Sequence, residues 1–498
     1  MKNQFIYRII IGVVLASGLV PGLTSRAEEK QEDYYSIHAI RPPQGVFPEV
    51  SGLEVGPDDE LYVATRRGDI YLVTNYGADS QNSNWNLWAQ GLHEPLGITW
   101  KNGWLYATQR PEVTRIKDRD GDGRADIFRS ISDRWGINGD YHEYAFGTSH
   151  DSDGNIWVVL CLTGSGGYSS AFRGWAVKVT PEGEMIPVAS GIRSPGGIGF
   201  NQEGDVFYCD NQGPWNGSSS VKHLVPGSFQ GNPSGWKAYE ELSGTLLGGQ
   251  PTLPESGSRI PAERERVGTF VPPACILPHG RVGQSPTGIV TFPADGSFGP
   301  FEGQLLVGEQ TYSEIQRVFL EKVNGVYQGA VFHFLQGFES GNIALKMTDE
   351  GVLITGGSDR GWGARGGKPF ALESVRWNGK VPFEVREMKA LPNGFQLNFT
   401  SKVDRESASN VESYKMQAYT YIYQSSYGSP EVDRLQPNIT SAKVSADGMS
   451  VVLTVDKLTK GHIHELEMAG VASADGRELL HKTGYYTLNE IPDTRALR

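Results

Sequence analysis

A histidine just ahead of an apolar strand is the strongest candidate in the sequence for acid–base chemistry. His142 precedes a tight Asp-Ser-Asp-Gly turn and a second strand-like run at 155–162, which is rich in β-branched and aromatic residues. A histidine in such a place can accept a proton from a hydroxyl group at neutral pH. The alternative is a structural histidine that is hydrogen-bonded to a neighbouring backbone group.

An acidic loop is the second chemical candidate. Its carboxylates stand at positions 1, 3, 5 and 9 of the loop, as Asp118, Asp120, Asp122 and Asp126. This spacing is typical of the first part of a calcium loop, in which oxygen ligands surround a hard cation and glycines allow the sharp turn. A glutamate at position 12 is absent. The pattern predicts a structural Ca²⁺ site, and the alternative is a solvated acidic turn.

The elements that must position these residues repeat along the chain. Six units of apolar strand, Asp/Gly turn and further strands begin near Val50, Pro95, Asp140, Pro195, Ser285 and Asn342. Six such units predict an all-β fold with a six-bladed β-propeller over residues 34–379. A parallel β-helix is the competing repeat fold, but its repeats are shorter and more uniform. The Gly- and Pro-rich insert at 236–283 is expected to cover one face as loops.

Three polar residues occupy corresponding positions at the inner ends of successive blades. They are His93, His142 and Arg193. In a propeller, such positions converge on the ring axis, so a shared site is expected there. Three loop tryptophans, Trp135, Trp215 and Trp362, could stack on sugar rings or pack within their loops.

The pattern changes after residue 380. Glycine becomes sparse, and short runs alternate between apolar and polar residues, as in Phe395-Gln-Leu-Asn-Phe. Residues 380–498 are therefore predicted to form an immunoglobulin-like β-sandwich without a cysteine pair. No catalytic constellation is found in this segment, which favours an accessory or docking role.

Composition and the N-terminal segment limit the classes of function and location that are expected. The net charge is −12, which argues against nucleic acid or an anionic membrane as the main partner. Residues 1–27 read as a signal peptide, so export to the periplasm or outside the cell is expected, with no membrane segment in the mature chain. The alternative is an uncleaved membrane anchor.

The chain has three cysteines, Cys161, Cys209 and Cys275. They allow either one disulfide with one free thiol or three buried thiols, and the strand-like surroundings favour buried thiols.

Three stretches resemble the soluble glucose/sorbosone dehydrogenases, which are six-bladed propellers that use pyrroloquinoline quinone (PQQ) and calcium. They are Tyr141-His142 with the strand that follows, Gly191-Ile-Arg-Ser-Pro-Gly-Gly, and Asp210-Asn-Gln-Gly-Pro. The resemblance implies that His142 is the catalytic base, that Arg193 stabilises the reduced quinone, and that His93 positions the substrate. It further implies that Arg193, Gln212, Gly213 and Pro214 hold the cofactor, the last two through backbone oxygens on its calcium. The layout is also similar to exported "membrane-bound dehydrogenase"-type propellers of planctomycete-like bacteria.

The chain departs from that family where the quinone carboxylates should bind. Thr311 stands at the position of a family lysine, and Asn342 and Ala344 stand at the positions of two arginines. Hydrogen bonds to charged groups are worth roughly 1.5–3 kcal/mol each, so the loss of three cations weakens PQQ binding substantially.

Three functions follow as hypotheses. The first is an exported sugar or alditol dehydrogenase that passes hydride to a quinone and electrons to a separate c-type cytochrome. The second is a propeller without redox chemistry that binds a glycan or a protein partner. The third is a calcium-dependent lactonase, for which no converging ligand set is found in the sequence.

Overall fold

The protein is built from antiparallel β-sheets arranged around a ring axis, followed by a two-sheet sandwich. The computed structural model describes residues 29–77, 83–242, 246–361 and 363–493. The predicted signal peptide, 1–27, lies outside these residues. The all-β class and the six-bladed propeller are confirmed, because six consecutive groups of four paired strands follow the six sequence repeats. Five of these groups are separate sheets, and the fifth blade is half of an eight-stranded sheet.

Each blade has four strands rather than the three that the repeat pattern shows. Blade 1 comprises β2 to β5, at Val50–Val55, Leu61–Thr65, Ile70–Thr74 and Asn84–Ala89. Blade 2 comprises β6 to β9, at Ile98–Lys101, Trp104–Thr108, Val113–Lys117 and Ile127–Ser132. Blade 3 comprises β10 to β13, at Ala145–His150, Ile156–Leu160, Trp175–Val179 and Met185–Ser190.

The ring is closed by the N-terminal strand. Blade 4 comprises β14 to β17, at Pro195–Phe200, Val206–Asp210, Ser219–His223 and Pro273–Leu277. Blade 5 comprises β18 to β21, at Pro286–Thr291, Leu305–Glu309, Glu314–Val323 and Val326–Leu335. Blade 6 comprises β22 to β24, at Ala344–Met347, Val352–Ser358 and Phe370–Trp377, and takes β1, Tyr35–Ala39, as its outermost strand. The first and last parts of the propeller are thus held together by one antiparallel pair, β1 with β24.

Glycine lets the innermost strands approach one another. Gly97, just before β6, has φ +148°, and a Cβ there would lie 2.5 Å from the carbonyl oxygen of Gly147 in β10. A side chain at this position would therefore push two blades apart. The high glycine content of the repeats follows in part from this close packing around the axis.

The insert predicted as loops is partly regular. It contains α1 at Lys237–Leu242 and α2 at Ile260–Arg266, and it ends in β17, the outer strand of blade 4. Short 3₁₀ turns occur at Gln31–Asp33, Pro233–Trp236, Leu246–Gly248 and Val411–Ser413. The expectation that 236–283 consists of loops is therefore wrong for α1, α2 and β17.

The C-terminal segment forms two four-stranded sheets around an apolar core. One sheet has the order β25-β26-β30-β29, at Val385–Leu391, Gly394–Phe399, Ser450–Val455 and Ile439–Val444. The other has the order β32-β31-β27-β28, at Thr483–Leu488, His462–Glu467, Lys415–Tyr421 and Glu431–Leu435. The helix α3 lies at Arg405–Ser409. Because β32 also pairs with β21, this second sheet continues blade 5 into one eight-stranded sheet.

The three cysteines are buried free thiols, as their strand-like surroundings predict. Within the described residues, no helix is both long enough and apolar enough to cross a bilayer.

A buried histidine makes the stability of the C-terminal sandwich dependent on pH. His464 in β31 is fully buried beside Phe395, and burial lowers its pKa to about 3. The unfolded chain takes up a proton as the pH falls below about 6.5, whereas the folded chain does not, so stability is lost on acidification. We expect His464 to account for about 2 kcal/mol of the stability lost between pH 7.5 and pH 5.

Denaturant unfolding of the wild type and of His464→Phe at these two pH values measures this contribution. The variant keeps an aromatic ring in the same space but has no group to protonate. It should lose less stability on acidification than the wild type, while His150 and His223 titrate in both proteins. Equal losses in the two proteins would contradict the assignment.

Candidate functional site

A cavity of about 540 Å³ lies at one mouth of the propeller. Its walls come from the loops that lead into the first strands of blades 2 to 6, and from loops that join second to third strands. The residues that carry its chemistry are His142, Arg193, Arg66, Arg360, Gln212 and His279. A cavity of this size is in the range that holds small ligands.

The floor of this pocket is apolar. Leu96, Phe146 and Ile343 line both the pocket and a second cavity of about 280 Å³ farther along the axis. These three side chains come from three different blades, so they separate the pocket from the rest of the central channel. A ligand would enter from the loop face and stop at this apolar layer.

His142 sits in the pocket wall as a neutral base. Burial lowers its pKa, the guanidinium groups of Arg193 and Arg110 lower it further, and Asp140 acts in the opposite direction. Its Nδ1 atom lies 3.9 Å from Oδ1 of Asp140, which also accepts the backbone N–H of His142 at 2.8 Å. Asp140 therefore fixes the loop that carries His142, and the imidazole is uncharged at pH 7.

Arg193 is held against the backbone of the neighbouring loop. Its guanidinium donates to the carbonyl oxygens of Gln212 (2.5 Å) and Asn211 (3.3 Å) and to Oγ of Ser165 (3.0 Å). The residue is only 4% exposed, and its Nε has no hydrogen-bond partner among the described residues. All three acceptors are uncharged, so the positive charge of Arg193 is not balanced by a carboxylate hydrogen bond.

Two clusters at the mouth contain more arginine than glutamate. Glu94 accepts from Arg66 at 2.6 Å and from Arg110 at 2.5 Å. Glu49 likewise accepts from two arginines, Arg67 (2.9 Å) and Arg360 (3.0 Å). Each cluster therefore carries an excess positive charge. Among the described residues that line the pocket there is no aspartate or glutamate, which makes the mouth locally cationic in a protein of net charge −12.

The structure brings some of the predicted site residues together and leaves others apart. His142, Arg193 and Gln212 line the pocket. His93 does not line it, and its backbone N–H donates to the side chain of Gln109. The sequence analysis assigned His93 to the shared site because of its position in the repeat. Loops of slightly different length and course, however, are enough to move a side chain out of a shared cavity.

The predicted calcium loop lies on the outer hairpin of blade 2, away from the pocket loops. Ligand oxygens of Asp118, Asp120 and Asp122 lie within 4.8 Å of one another. Asp118 accepts the backbone N–H groups of Gly121 (2.7 Å) and Gly123 (2.9 Å), so the loop curls around this carboxylate. Asp126 instead forms a salt bridge with Arg119 at 3.0 Å.

Several pocket residues were missed by the sequence reasoning. They are Arg66, Arg360, His279 and Tyr427. The first two follow strands at the loop face and could have been found by comparing the repeats position by position. Tyr427 belongs to the C-terminal sandwich, and nothing local in its sequence indicates a distant pocket.

The matched family covers most of the propeller. A family model described as "Domain of unknown function (DUF7133)" matches residues 47–325, which is more than half of the chain. The chain belongs to this family. The matched segment spans blades 1 to 4 and reaches into blade 5, and it includes His142, Arg193 and Arg66. No curated protein matches the chain.

Solved structures of sugar dehydrogenases are similar to this DUF7133 member. One, titled "glucose dehydrogenase", has a TM-score of 0.50 at 14% identity and covers 70% of this chain and 100% of its own. The PQQ-bound aldose sugar dehydrogenase of Streptomyces coelicolor has a TM-score of 0.48 at 15% identity, covering 69% and 98%. A putative oxidoreductase (glucose dehydrogenase) from Thermus thermophilus has a TM-score of 0.49 at 18% identity, covering 68% and 99%. At 14% identity, the likeness to the first of these structures concerns the fold alone.

The residues of this DUF7133 chain do not fit PQQ bound through calcium in the way that the resemblance implies. The Gly213 carbonyl oxygen already accepts the N–H groups of Asn216 (3.0 Å) and Gly428 (3.1 Å), and the Pro214 oxygen accepts Nδ2 of Asn232 (3.0 Å). Neither Gly213 nor Pro214 lines the pocket. Both backbone oxygens are thus engaged within the protein.

The expected carboxylate ligands of PQQ are missing as well. Thr311 lines the pocket but has no charge, and Ala344 has no polar side chain. Asn342 is 1% exposed and is used internally, since Nδ2 donates to Glu314 and Oδ1 accepts from Thr355. We therefore derive no reaction step through PQQ.

Proposed function

We propose that the central pocket binds a small acidic carbohydrate or polyol, such as a sugar acid. The observation that carries this proposal is the set of guanidinium groups around a 540 Å³ cavity that has no lining carboxylate among the described residues. Charge-assisted hydrogen bonds to arginine are the strong means by which proteins hold carboxylates. Exposed aromatic side chains beside these cations supply the apolar contact that a sugar ring needs.

Calorimetry on the full chain tests this proposal. The probes are D-glucuronate, D-galacturonate and D-gluconate, each paired with its neutral counterpart, D-glucose, D-galactose or sorbitol. We expect at least one acidic probe to bind at least about tenfold more tightly than its partner, which corresponds to about 1.4 kcal/mol. Equal affinity within each pair, or no binding at all, would overturn the proposal.

Oxidation of a hydroxyl group on that ligand is the second candidate, and the state of His142 favours it. A neutral imidazole in the pocket wall can accept the proton of the hydroxyl oxygen while the carbon that bears it transfers hydride to a quinone-class acceptor, so that the alcohol becomes a carbonyl group and the quinone becomes its reduced quinol form. Dye reduction with the same panel should then show a rate that falls as His142 is protonated, at a pH below 6.5, since burial lowers its pKa. His142→Gln should abolish the rate but leave ligand affinity within about threefold.

The identity of the acceptor is a separate question. Because the residues do not fit PQQ with calcium, we expect no calcium-dependent PQQ binding at tens of micromolar in a calorimetric titration. Sugar-dependent dye reduction that appears only with PQQ and Ca²⁺ would contradict this expectation and restore a quinone enzyme. We keep a separate c-type cytochrome as the proposed final acceptor, and export as the proposed location.

The loop at 118–126 is proposed to bind Ca²⁺ in a structural role. We expect 1 mM Ca²⁺ to raise the thermal midpoint by a few degrees relative to a chelator, because an ion that binds only the folded state stabilises it. Asp118→Asn with Asp122→Asn should remove this difference without changing ligand affinity. An unchanged calcium response in the double variant would exclude this loop.

The lactonase alternative is not favoured. Calcium on the axis would need carboxylate ligands there, and the described lining residues provide none.

A further inference from the structure

We infer that the C-terminal sandwich completes the pocket, and that Tyr427 on its β27–β28 hairpin is a ring-stacking residue that determines which ligands bind. This inference rests on the proposed carbohydrate pocket. It assigns a ligand-contacting role to a segment that the sequence marks only as an accessory module. The hairpin is docked on the propeller, its anchor is buried, and its tip is exposed into the pocket.

The hairpin is fixed to blade 4 by backbone hydrogen bonds. Trp215 N–H donates to the Gln424 oxygen (2.7 Å), Gly428 N–H to the Gly213 oxygen (3.1 Å), and Ser429 N–H to the Gly217 oxygen (3.0 Å). These bonds join the hairpin tip to the same propeller loop whose carbonyl groups hold Arg193. The position of Tyr427 is thus set relative to the pocket by several main-chain contacts.

A buried tyrosine anchors the base of the hairpin. Tyr423 is 2% exposed and its ring lies 5.1 Å from Trp215 and 5.5 Å from Phe270, both in the propeller part of the chain. Its hydroxyl donates to the carbonyl oxygen of Gly231, and its backbone pairs with Ser258. This apolar and polar anchorage makes the hairpin a rigid part of the pocket wall.

The tip residue itself is exposed. Tyr427 is 68% exposed and lines the pocket, with the Arg193 guanidinium 5.2 Å from its ring centre. Tyr141, which is 56% exposed, lines the same pocket beside His142, at 3.9 Å between ring centres. Two of the three most exposed large hydrophobic side chains among the described residues therefore lie at one cavity. Rigidly held, exposed aromatic rings next to cations suit the apolar face of a sugar ring that carries a carboxylate.

Calorimetry with D-glucuronate and D-gluconate on the full-length wild type, Tyr427→Ala, Tyr427→Leu and Tyr427→Phe tests this inference. We expect Tyr427→Ala and Tyr427→Leu to weaken binding of the cyclic glucuronate at least about tenfold, and Tyr427→Phe to stay within about twofold, since the ring and not the hydroxyl makes the contact. The same substitutions should weaken binding of the open-chain gluconate less than binding of glucuronate. Leu253→Ala is the control, because Leu253 is 64% exposed but does not line the pocket.

The outcomes separate the two proposals. If the wild type binds but Tyr427→Ala and Tyr427→Leu bind glucuronate within twofold of it, the role of Tyr427 is overturned and the pocket proposal stands. If the wild type binds no probe, both are overturned. Thermal midpoints close to that of the wild type are expected for all four variants, and Tyr427→Leu keeps the test available if the alanine variant unfolds.

Discussion

Replacement of Gly213 by alanine is expected to abolish high-affinity binding of an acidic ligand, although residue 213 does not line the pocket. A Cβ at this position would lie 2.1 Å from Cζ and 2.2 Å from Nε of Arg193. No side chain fits at these distances, so the guanidinium must leave its place. A charge-assisted hydrogen bond is worth about 1.5–3 kcal/mol, and we therefore expect a loss of roughly 10- to 150-fold in affinity.

The same substitution should also cost stability. Arg193 donates to two carbonyl oxygens and one hydroxyl, and overpacking of a well-filled site costs about 1–3 kcal/mol. Calorimetry with the best acidic probe and denaturant unfolding measure the two effects. Gly268→Ala is the matched control, because a Cβ there meets nothing within 4 Å and the backbone is not in the left-handed region. Full affinity in Gly213→Ala would show that Arg193 does not contact the ligand.

The propeller could be predicted from the sequence because its signal is repeated. Strand, Asp/Gly turn and strand recur six times, and each repeat has the same physical cause, a sheet that can bury its faces only against its neighbours. The outermost strands were missed since they vary more, as with β17, which follows a long insert. Ring closure by β1 was missed because Tyr35–Ala39 is a short strand far from its partner in the chain.

The site could be predicted only in part. His142 and Arg193 follow from the repeat register, because each lies in a loop that leads into the innermost strand of its blade. The sequence left two roles open for the loop tryptophans, stacking on sugar rings or packing within the protein. Trp135 is 3% exposed and Trp215 packs against Tyr423, which favours packing for these two, whereas Trp362 lies outside the described residues. Two exposed aromatic side chains line the pocket instead, Tyr141 from the propeller and Tyr427 from the sandwich. The position of Tyr427 depends on long-range docking that no local pattern encodes.

Loss of Arg317 is expected to have the largest effect on stability, because its buried side chain forms hydrogen bonds between the propeller and the sandwich. Its side chain is completely buried in blade 5 and lies over the rings of Phe301 (4.1 Å) and Phe332 (4.3 Å). It donates to Gln304 (2.7 Å), and to the carbonyl oxygens of Val385 (2.8 Å) and Arg386 (3.1 Å) in the first sandwich strand.

We expect Arg317→Met to lower the free energy of unfolding by about 2–6 kcal/mol, because two buried acceptors lose their donor at about 1–3 kcal/mol each. Methionine fills part of the space but removes the donor to the Gln304 side-chain oxygen and to the Val385 carbonyl oxygen, whereas the Arg386 carbonyl oxygen still accepts from Gln304 Nε2. Arg386→Ala is the matched control, since Arg386 pairs with Glu302 at the surface and such pairs are worth about 1 kcal/mol or less. Denaturant unfolding of both variants measures the difference.

The unfolding behaviour of Arg317→Met also tests whether the sandwich forms part of the pocket wall. Because β32 extends blade 5 and the Tyr427 hairpin docks on blade 4, the sandwich touches the propeller at more than one place. We expect a single cooperative transition in the wild type, and in Arg317→Met a lowered midpoint with weakened glucuronate binding before the main transition. Two independent transitions in the wild type, with ligand binding unaffected by the first, would mean that the sandwich is an appendage and does not form a wall of the site.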